Sequence, residues 1–229
     1  MRKIGLFLSI VVAVLFATVG SATASSGAAA AAAVPVLTQI SAGGPAANPG
    51  DLLASSLTPG STLNFTTAPG GSAGLFCKQS VWQGVLGSNP PAQGTAEIKL
   101  LNPFIISSCY DNSPTVTSVI GVSVGNLPVA LDVADYAGFP LQIVPSPNPL
   151  QITVTLATTG PTVTCVFVAA GVVNGNAGPG PAPWTFANQP FKLASGSLPA
   201  CGSSPVAYLT AQYSPVVDTT GGGTTIFVN

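Results

Sequence analysis

The sequence contains no histidine, and this absence removes much of the chemistry that a protein of its length could perform. Histidine is the side chain that most often acts as a general base near neutral pH, and it is the commonest metal ligand. Ser–His–Asp and Cys–His nucleophilic sites are therefore impossible. A Ser–Lys dyad would need Lys78, Lys99 or Lys192, and none of them lies in an S-x-x-K arrangement. We expect no catalytic residues and no enzymatic activity.

The carboxylates are few and scattered along the chain. A glycosidase needs two carboxylates that flank the scissile bond, such as Glu97 with Asp111, and nothing in the sequence brings such a pair together. Asp132 and Asp135, in LDVADYAGFP, could supply oxygen ligands to Ca²⁺, but the denser D-x-D-x-D-G spacing is missing. Turn-forming roles are favoured for both. We therefore expect no metal and no cofactor, and a carboxylate-dependent hydrolase is the least favoured alternative.

The cysteines point to an oxidising compartment. There are four of them: Cys77, Cys109, Cys165 and Cys201. An even number in an exported chain predicts two disulfides. Zinc is the competing interpretation, and it is weak because no two cysteines are close in sequence and histidine is missing.

The first residues have the features of a secretory signal. Arg2 and Lys3 precede an uncharged apolar run from Ile4 to Val19, and Ala22-Thr23-Ala24 supplies small residues for cleavage. The run is about 16 residues long, shorter than the roughly 20 that span a bilayer. We expect residues 1–24 to be removed, which gives a secreted protein whose mature chain has no integral membrane segment.

The mature chain would carry very little charge. It keeps three lysines and all six acids, so its net charge is 3 − 6 = −3. Phosphate binding needs clustered Lys and Arg, so nucleic acid and anionic lipid are excluded as partners. A weakly charged, hydroxyl-rich surface suits an extracellular setting, adhesion or self-association.

Beyond the signal, the chain changes texture once. Residues 25–61 are rich in Ala, Gly and Pro, and they predict a flexible linker or a loosely docked segment. From Thr62 onward, short runs of alternating apolar and polar residues are separated by turn signals every 8–12 residues or so, which is typical of an antiparallel sandwich. In LQITVTLATT (150–159), for example, Leu150, Ile152, Val154 and Leu156 share one face. The fold class predicted is all-β.

An internal repeat organises these strands. Cys77 is followed by Gly84-Val85, then LNPFIISSC ending at Cys109, and Cys165 is followed by Gly171-Val172, then NQPFKLASGSLPAC ending at Cys201. Duplication of a unit with its own bridge predicts the pairs Cys77–Cys109 and Cys165–Cys201. We therefore expect two related sandwich-like repeats, residues 62–145 and 146–229, each with one disulfide. Whether they form two sandwiches or the two sheets of one is left open.

The repeat also sorts the aromatic residues. Phe104 and Phe191 occupy equivalent positions and are predicted to lie in the core. Trp82, Trp184 and Tyr136 have no counterpart, which makes them the candidates for contact with a ligand.

The LNPFIISSC and NQPFKLASG segments, with the export signal and the Ala/Gly/Thr-rich texture, resemble uncharacterised secreted β-rich proteins of actinobacteria. At the level of class the chain also resembles neocarzinostatin-type apoproteins, which are secreted sandwiches with two disulfides that carry a small chromophore. The first resemblance implies no catalytic motif. We expect a non-catalytic extracellular or cell-envelope protein that is structural or binds a cell-wall component or itself. A carrier of a small apolar ligand is the alternative.

Overall fold

A computed structural model describes residues 33–229, so the predicted signal peptide and residues 25–32 of the predicted linker lie outside it. Residues 33–229 contain fifteen β-strands and no helix. The strands are β1 Leu37–Gln39, β2 Leu52–Leu57, β3 Leu63–Thr66, β4 Gly74–Ser88, β5 Thr95–Leu100, β6 Ile105–Asp111, β7 Val116–Gly125, β8 Val129–Ala134, β9 Pro140–Val144, β10 Gln151–Thr158, β11 Val163–Ala169, β12 Val173–Asn176, β13 Trp184–Ser195, β14 Val206–Asp218 and β15 Thr224–Val228. The predicted all-β class is confirmed.

The alternating runs form strands because one face of each run is buried. In β10, Ile152, Val154 and Leu156 are each 3% exposed, while the residues between them are partly exposed. This is the period-2 burial of a strand with one face on the core. The other runs that alternate in sequence also form strands.

Eight strands close into an antiparallel barrel. The order around it is β2, β4, β5, β8, β9, β12, β13 and β14, and β14 pairs with β2 to complete the circle. Because the barrel is closed, each of these eight strands is hydrogen-bonded to a neighbouring strand on both sides. The barrel interior is filled by apolar side chains that belong to one continuous core.

Three long strands continue beyond the barrel. The far halves of β4, β13 and β14 pair with β3, β6 and β11, and β10 and β7 extend this sheet from β11. The result is a second ring of eight strands, in the order β6, β4, β3, β14, β13, β11, β10 and β7. No backbone ladder joins β7 to β6, so this ring is open at one junction.

The predicted pair of sandwich-like repeats, whether as two sandwiches or as the two sheets of one, is not the arrangement that the strands form. The closed barrel takes β4, β5, β8 and β9 from the first half and β12, β13 and β14 from the second, and residues 33–229 form one compact unit. The reason is the length of β4, β13 and β14, which run through both rings and pair with different partners at each end. A boundary at residue 145 therefore separates no compact units.

Residues 33–61 of the segment predicted as a flexible linker or a loosely docked stretch contain two strands. Strands β1 and β2 lie within it, and Leu37 and Leu53 are fully buried. The amide of Asn89 holds this segment as a neighbouring strand would: its Oδ1 accepts from the Leu37 N–H at 2.9 Å and its Nδ2 donates to the Leu37 carbonyl at 2.8 Å. The segment after residue 34 is thus a docked part of the sheet, because burial and backbone pairing outweigh its Gly/Pro-rich composition.

Within residues 33–229, no helix is long and apolar enough to cross a membrane.

Candidate functional site

Both disulfides form as predicted, Cys77–Cys109 and Cys165–Cys201. Cys77 and Cys109 are directly opposite each other on the neighbouring strands β4 and β6. Cys165 lies on β11, and Cys201 lies in the turn between β13 and β14. The bridges tie strands and turns together and leave no free thiol among the described residues.

The three predicted ligand-contact residues do not lie together on the surface. Trp82 and Trp184 are 3% and 2% exposed, and their rings stack with centroids 5.7 Å apart. Trp82 lies where β4 passes from one ring to the other, and Trp184, the first residue of β13, lies opposite Tyr213 of β14. A ligand could reach the two indoles only through the interior. Tyr136, in the loop between β8 and β9, is exposed, and its role in contact stays a prediction.

Of the two phenylalanines predicted for the core, Phe191 is fully buried, and Phe104 packs against the core from a half-buried position. Tyr213 shares this region: its hydroxyl lies 2.9 Å from Ser80 Oγ, and both residues are buried. Burial raises the pKa of Tyr213 far above its ordinary value, and the hydrogen bond to Ser80 offsets this in small part. This phenol is a neutral hydrogen-bonding group, not an acid–base catalyst.

An apolar cavity lies beside the stacked tryptophans. Its volume is about 30 Å³ and its walls are apolar side chains from both rings, among them Leu100, Ile106, Val124 and Phe186. Ligand pockets usually measure about 300–1,000 Å³. The cavity as it stands has room for little more than a water molecule.

The structure brings together a carboxylate pair that the sequence did not reveal. Glu97 on β5 lies directly opposite Asp132 on β8. Burial raises the pKa of Asp132, and the neighbouring negative charge of Glu97 raises it further. Two like charges opposite each other on adjacent strands destabilise a sheet. Asp111, the partner considered for Glu97 from the sequence, lies on β6 and pairs with Leu75 instead.

The remaining polar groups serve the fold. Buried Asp218 accepts hydrogen bonds from Gln39 Nε2 and from the Thr220 and Gly221 N–H groups, which fixes the turn before β15. One carboxylate oxygen of Asp135 is buried without a hydrogen-bond partner. No group of three or more His, Cys, Asp or Glu residues within 33–229 is placed to hold a metal ion.

The open junction of the second ring is the least ordinary feature of the sheet, and we call it the seam. It lies between β6, which is hydrogen-bonded only to β4, and β7, which is hydrogen-bonded only to β10. The two strands are consecutive in the chain and run antiparallel, so they could have paired as a hairpin. Instead their facing edges carry backbone groups that no ladder satisfies.

Both strands are irregular beside the seam. Two residues of β7 have no partner residue on β10. Ile120 is the first, because Gly121 pairs with Thr155 and Val119 pairs with the next residue, Leu156. Thr117 is the second, since the register slips again between Ser118 and Val116. Such bulges bend a strand and increase its twist. On β6, Ser108 has a φ of 55°, which is rare for a residue with a side chain. Both strands thus depart from regular strand geometry where they border the seam.

The seam encloses a slot of about 200 Å³. Its lining is uncharged and comes equally from the two strands: Ile106, Ser107, Ser108, Cys109, Val119, Ile120, Gly121 and Val122. The slot is fixed on the β6 side, because Cys109 is bridged to β4 and both serine hydroxyls donate to Gln79 Oε1. It is therefore a preformed surface feature with the dimensions of one or two side chains.

Apolar side chains are concentrated on the two seam strands. Of the eight large apolar residues that are exposed within residues 33–229, three lie on β6 and β7: Ile105, Tyr110 and Ile120, at 48%, 49% and 59% exposure. No residue of β7 is fully buried, although its partner β10 buries every second side chain. The inner face of β7 is thus only partly covered, which is the expected consequence of the open ring beside it.

No family model, no curated protein and no solved structure matches this chain. The resemblance to secreted actinobacterial proteins and to neocarzinostatin-type apoproteins therefore stays a prediction. The seam was not foreseen from the sequence. The lack of charge in TVTSVIGVS (115–123) is visible in the sequence, but the position of this strand at an edge depends on long-range pairing.

Proposed function

We propose that this is a secreted, non-catalytic binding protein of the extracellular space or cell envelope, and that the seam is its contact surface. The observation that carries the proposal is the preformed, uncharged slot between two unpaired strand edges. Interfaces concentrate their binding energy where an apolar side chain fills such a pocket away from water. Unpaired edges add backbone donors and acceptors around it.

The chemistry of the rest of the molecule supports binding without catalysis. The chain has no histidine, and the three lysines within residues 33–229 are exposed. The carboxylates of Glu97 and Asp132 lie on strands of the closed barrel and not at the slot. Asp51 and Asp218, which both accept a hydrogen bond from Gln39 Nε2, do not line the slot either. Two disulfides are typical of proteins that work outside the cell.

Envelope retention tests the proposal. Purified mature protein is mixed with envelopes of the producing cell, and the bound fraction is measured for wild type, Ile120→Glu and Gly121→Leu. A Cβ at Gly121 would meet no atom within 4 Å, so a side chain there fills the slot without straining the fold. Val172→Glu changes an exposed apolar residue away from the seam and is the matched control.

Wild type and Val172→Glu should bind, and both seam variants should stay in solution with unchanged melting temperatures. Wild type that remains wholly in solution, or seam variants that bind as well as wild type, would count against the seam as the contact surface.

A carrier of a small apolar ligand is the second candidate, and one observation favours it. Ile106 lines both the slot and the apolar cavity beside the stacked tryptophans. A shift of this side chain would therefore connect the surface with the apolar interior. An apolar fluorescent probe tests it: saturable binding that Ile106→Ala strengthens would support a carrier. No binding to either form would leave the surface contact as the sole function.

A further inference from the structure

We infer that a pocket on the outer side of β4 binds a carboxylate that is joined to a compact apolar body. We call this site the β4 pocket, and it goes beyond the proposed function, which concerns the seam. Its volume is about 430 Å³, within the range of about 300–1,000 Å³ that ligand sites usually occupy. Its lining comes from β2, β4 and β6: Ser56, Leu57, Lys78, Gln79, Ser80, Val81, Ile105 and Ser107.

The β4 pocket is present because β4 changes its neighbour at this point. The ladder of β2 with β4 ends at Val81, and the ladder of β3 with β4 begins at Cys77. Residues 78–80 therefore have no ladder partner on this edge of β4, whereas β6 pairs with β4 along the other edge. The strand order thus leaves a concave gap in the outer surface of the sheet.

Lys78 supplies the charge of the pocket. Its side chain is exposed, and none of the six acidic residues of the chain is among the lining residues. A ligand with one negative charge would therefore meet a cation without a competing carboxylate. A phosphate monoester carries nearly two negative charges near neutral pH, so a single lysine would leave part of its charge unpaired, and an amine would be repelled.

Gln79 adds a fixed hydrogen-bond donor beside Lys78. Its Oε1 accepts from Ser107 Oγ at 2.9 Å and from Ser108 Oγ at 3.1 Å. These two bonds orient the amide, and its Nε2 donates to no group within residues 33–229. Ammonium and amide N–H groups on adjacent residues are donors that the two oxygens of a carboxylate can accept.

The apolar part of the lining selects what the carboxylate is attached to. Leu57, Val81 and Ile105 contribute apolar side chains, and Ile105 is 48% exposed. An apolar group in contact with them would remove this surface from water. A compact apolar body that ends in a carboxylate matches both parts of the lining, whereas a purely apolar molecule or a bare anion matches only one.

Isothermal titration calorimetry near neutral pH tests the inference with four probes that share one apolar chain: octanoate, octanol, octylamine and octyl phosphate. Mature protein with both disulfides intact should bind octanoate at one saturable site, about tenfold more tightly than octanol, since a charged hydrogen bond is partly screened at an exposed lysine. Lys78→Met should lower the affinity for octanoate to that for octanol. Lys192→Met is the matched control: it removes an exposed lysine that does not line the pocket, and it should leave the affinity unchanged.

Charge reversal gives a second readout of the same site. Lys78→Glu should abolish octanoate binding and allow octylamine to bind in its place, because the sign of the counter-charge is inverted. Since Lys78 is exposed, the melting temperatures of both Lys78 variants should stay close to that of wild type.

The remaining outcomes decide against the inference or separate it from the proposed function. Absence of octanoate binding, octanol that binds as tightly, or octyl phosphate that binds more tightly overturns the carboxylate as the ligand group. Equal losses in Lys78→Met and Lys192→Met overturn the β4 pocket as the site. Gly121→Leu fills the slot and should leave octanoate affinity unchanged, so loss of envelope retention in that variant would concern the seam alone. If Gly121→Leu abolishes octanoate binding, the probe lies in the slot and the β4 pocket is overturned.

Discussion

Asp132 is the residue whose surroundings most clearly disfavour the ionised form of its side chain. Burial and the charge of Glu97 both raise the pKa of Asp132, so protonation of this side chain is more favourable in the folded state than in the unfolded chain. A carboxyl whose pKa is raised by folding stabilises the folded state below the unfolded pKa, and this contribution is lost as the pH rises through the raised value. At neutral pH this pair therefore costs stability.

Asp132→Asn should raise the free energy of unfolding near neutral pH, by less than about 1 kcal/mol because the group is partly exposed to screening solvent. Urea denaturation measured at several pH values checks this. The advantage should disappear well below the ordinary pKa of an aspartate, where the wild-type carboxyl is also neutral. Glu97→Gln should give a smaller gain, and the double variant should gain less than the sum. An Asn variant that is less stable than wild type at neutral pH would contradict the repulsion.

The hydrogen bond between Tyr213 and Ser80 leads to a second prediction. Tyr213→Phe leaves a buried serine hydroxyl without its partner and should cost about 1–3 kcal/mol of unfolding free energy. Ser80→Ala should cost a similar amount, because it leaves the phenol unpaired. A double-mutant cycle by chemical denaturation measures the coupling, and the double variant should be much less destabilised than the sum. Simple additivity would show that the pair contributes nothing specific.

The aromatic residues show where prediction from residues alone fails. Repetition correctly placed Phe191 in the core, but it assigned Trp82 and Trp184 to contact with a ligand, and both are buried against each other. Trp82 lies on β4 where the two rings meet, and Trp184 is the first residue of β13. Only the long-range register of β4 and β13 brings them together, and a single sequence does not contain that register.

At the scale of elements, glycine positions distinguish a packed strand from a free one. A Cβ at Gly84 of β4 would come within 2.5 Å of Ile98 Cγ2, whereas a Cβ at Gly121 of β7 would meet nothing within 4 Å. The first glycine lies between paired strands of the closed barrel, and the second borders the open slot. Neither has a positive φ, so the difference between them is one of space.

Gly84→Ala should therefore destabilise the protein by about 1–3 kcal/mol through overpacking. Gly121→Ala is the matched control and should leave stability within about 0.5 kcal/mol of wild type. Thermal unfolding of both variants makes the comparison. Equal losses at the two positions would mean that the seam is closed in solution.

The sequence was informative about elements and much less so about their pairing. Alternation over residues 150–159 identified β10 almost to the residue, because burial on one face of a strand determines which of its residues are apolar. Strands β1 and β2 were missed, since Ala, Gly and Pro around them resemble a linker. Their order comes from distant side chains such as Asn89 and from partner strands far along the chain.

At the scale of the whole molecule, the closed barrel and the open ring differ in one property. The barrel satisfies its backbone groups by closure, while the second ring ends in two free edges at the seam. The disulfide pairing could be inferred from duplication, but the sharing of β4, β13 and β14 between the rings could not. Strands of a duplicated sequence can pair within one half of the chain or with strands of the other half. The length of the strands and their register decide which pairing forms.

Amide hydrogen exchange tests the open seam most directly, and it is measured on protein dilute enough to be monomeric. In β4, β13 and β14, amides should exchange slowly, while the β6 and β7 amides that point away from β4 and β10 should exchange many times faster. Slow exchange along both seam edges in the dilute monomer would contradict the account, because it would mean that β6 and β7 are already paired.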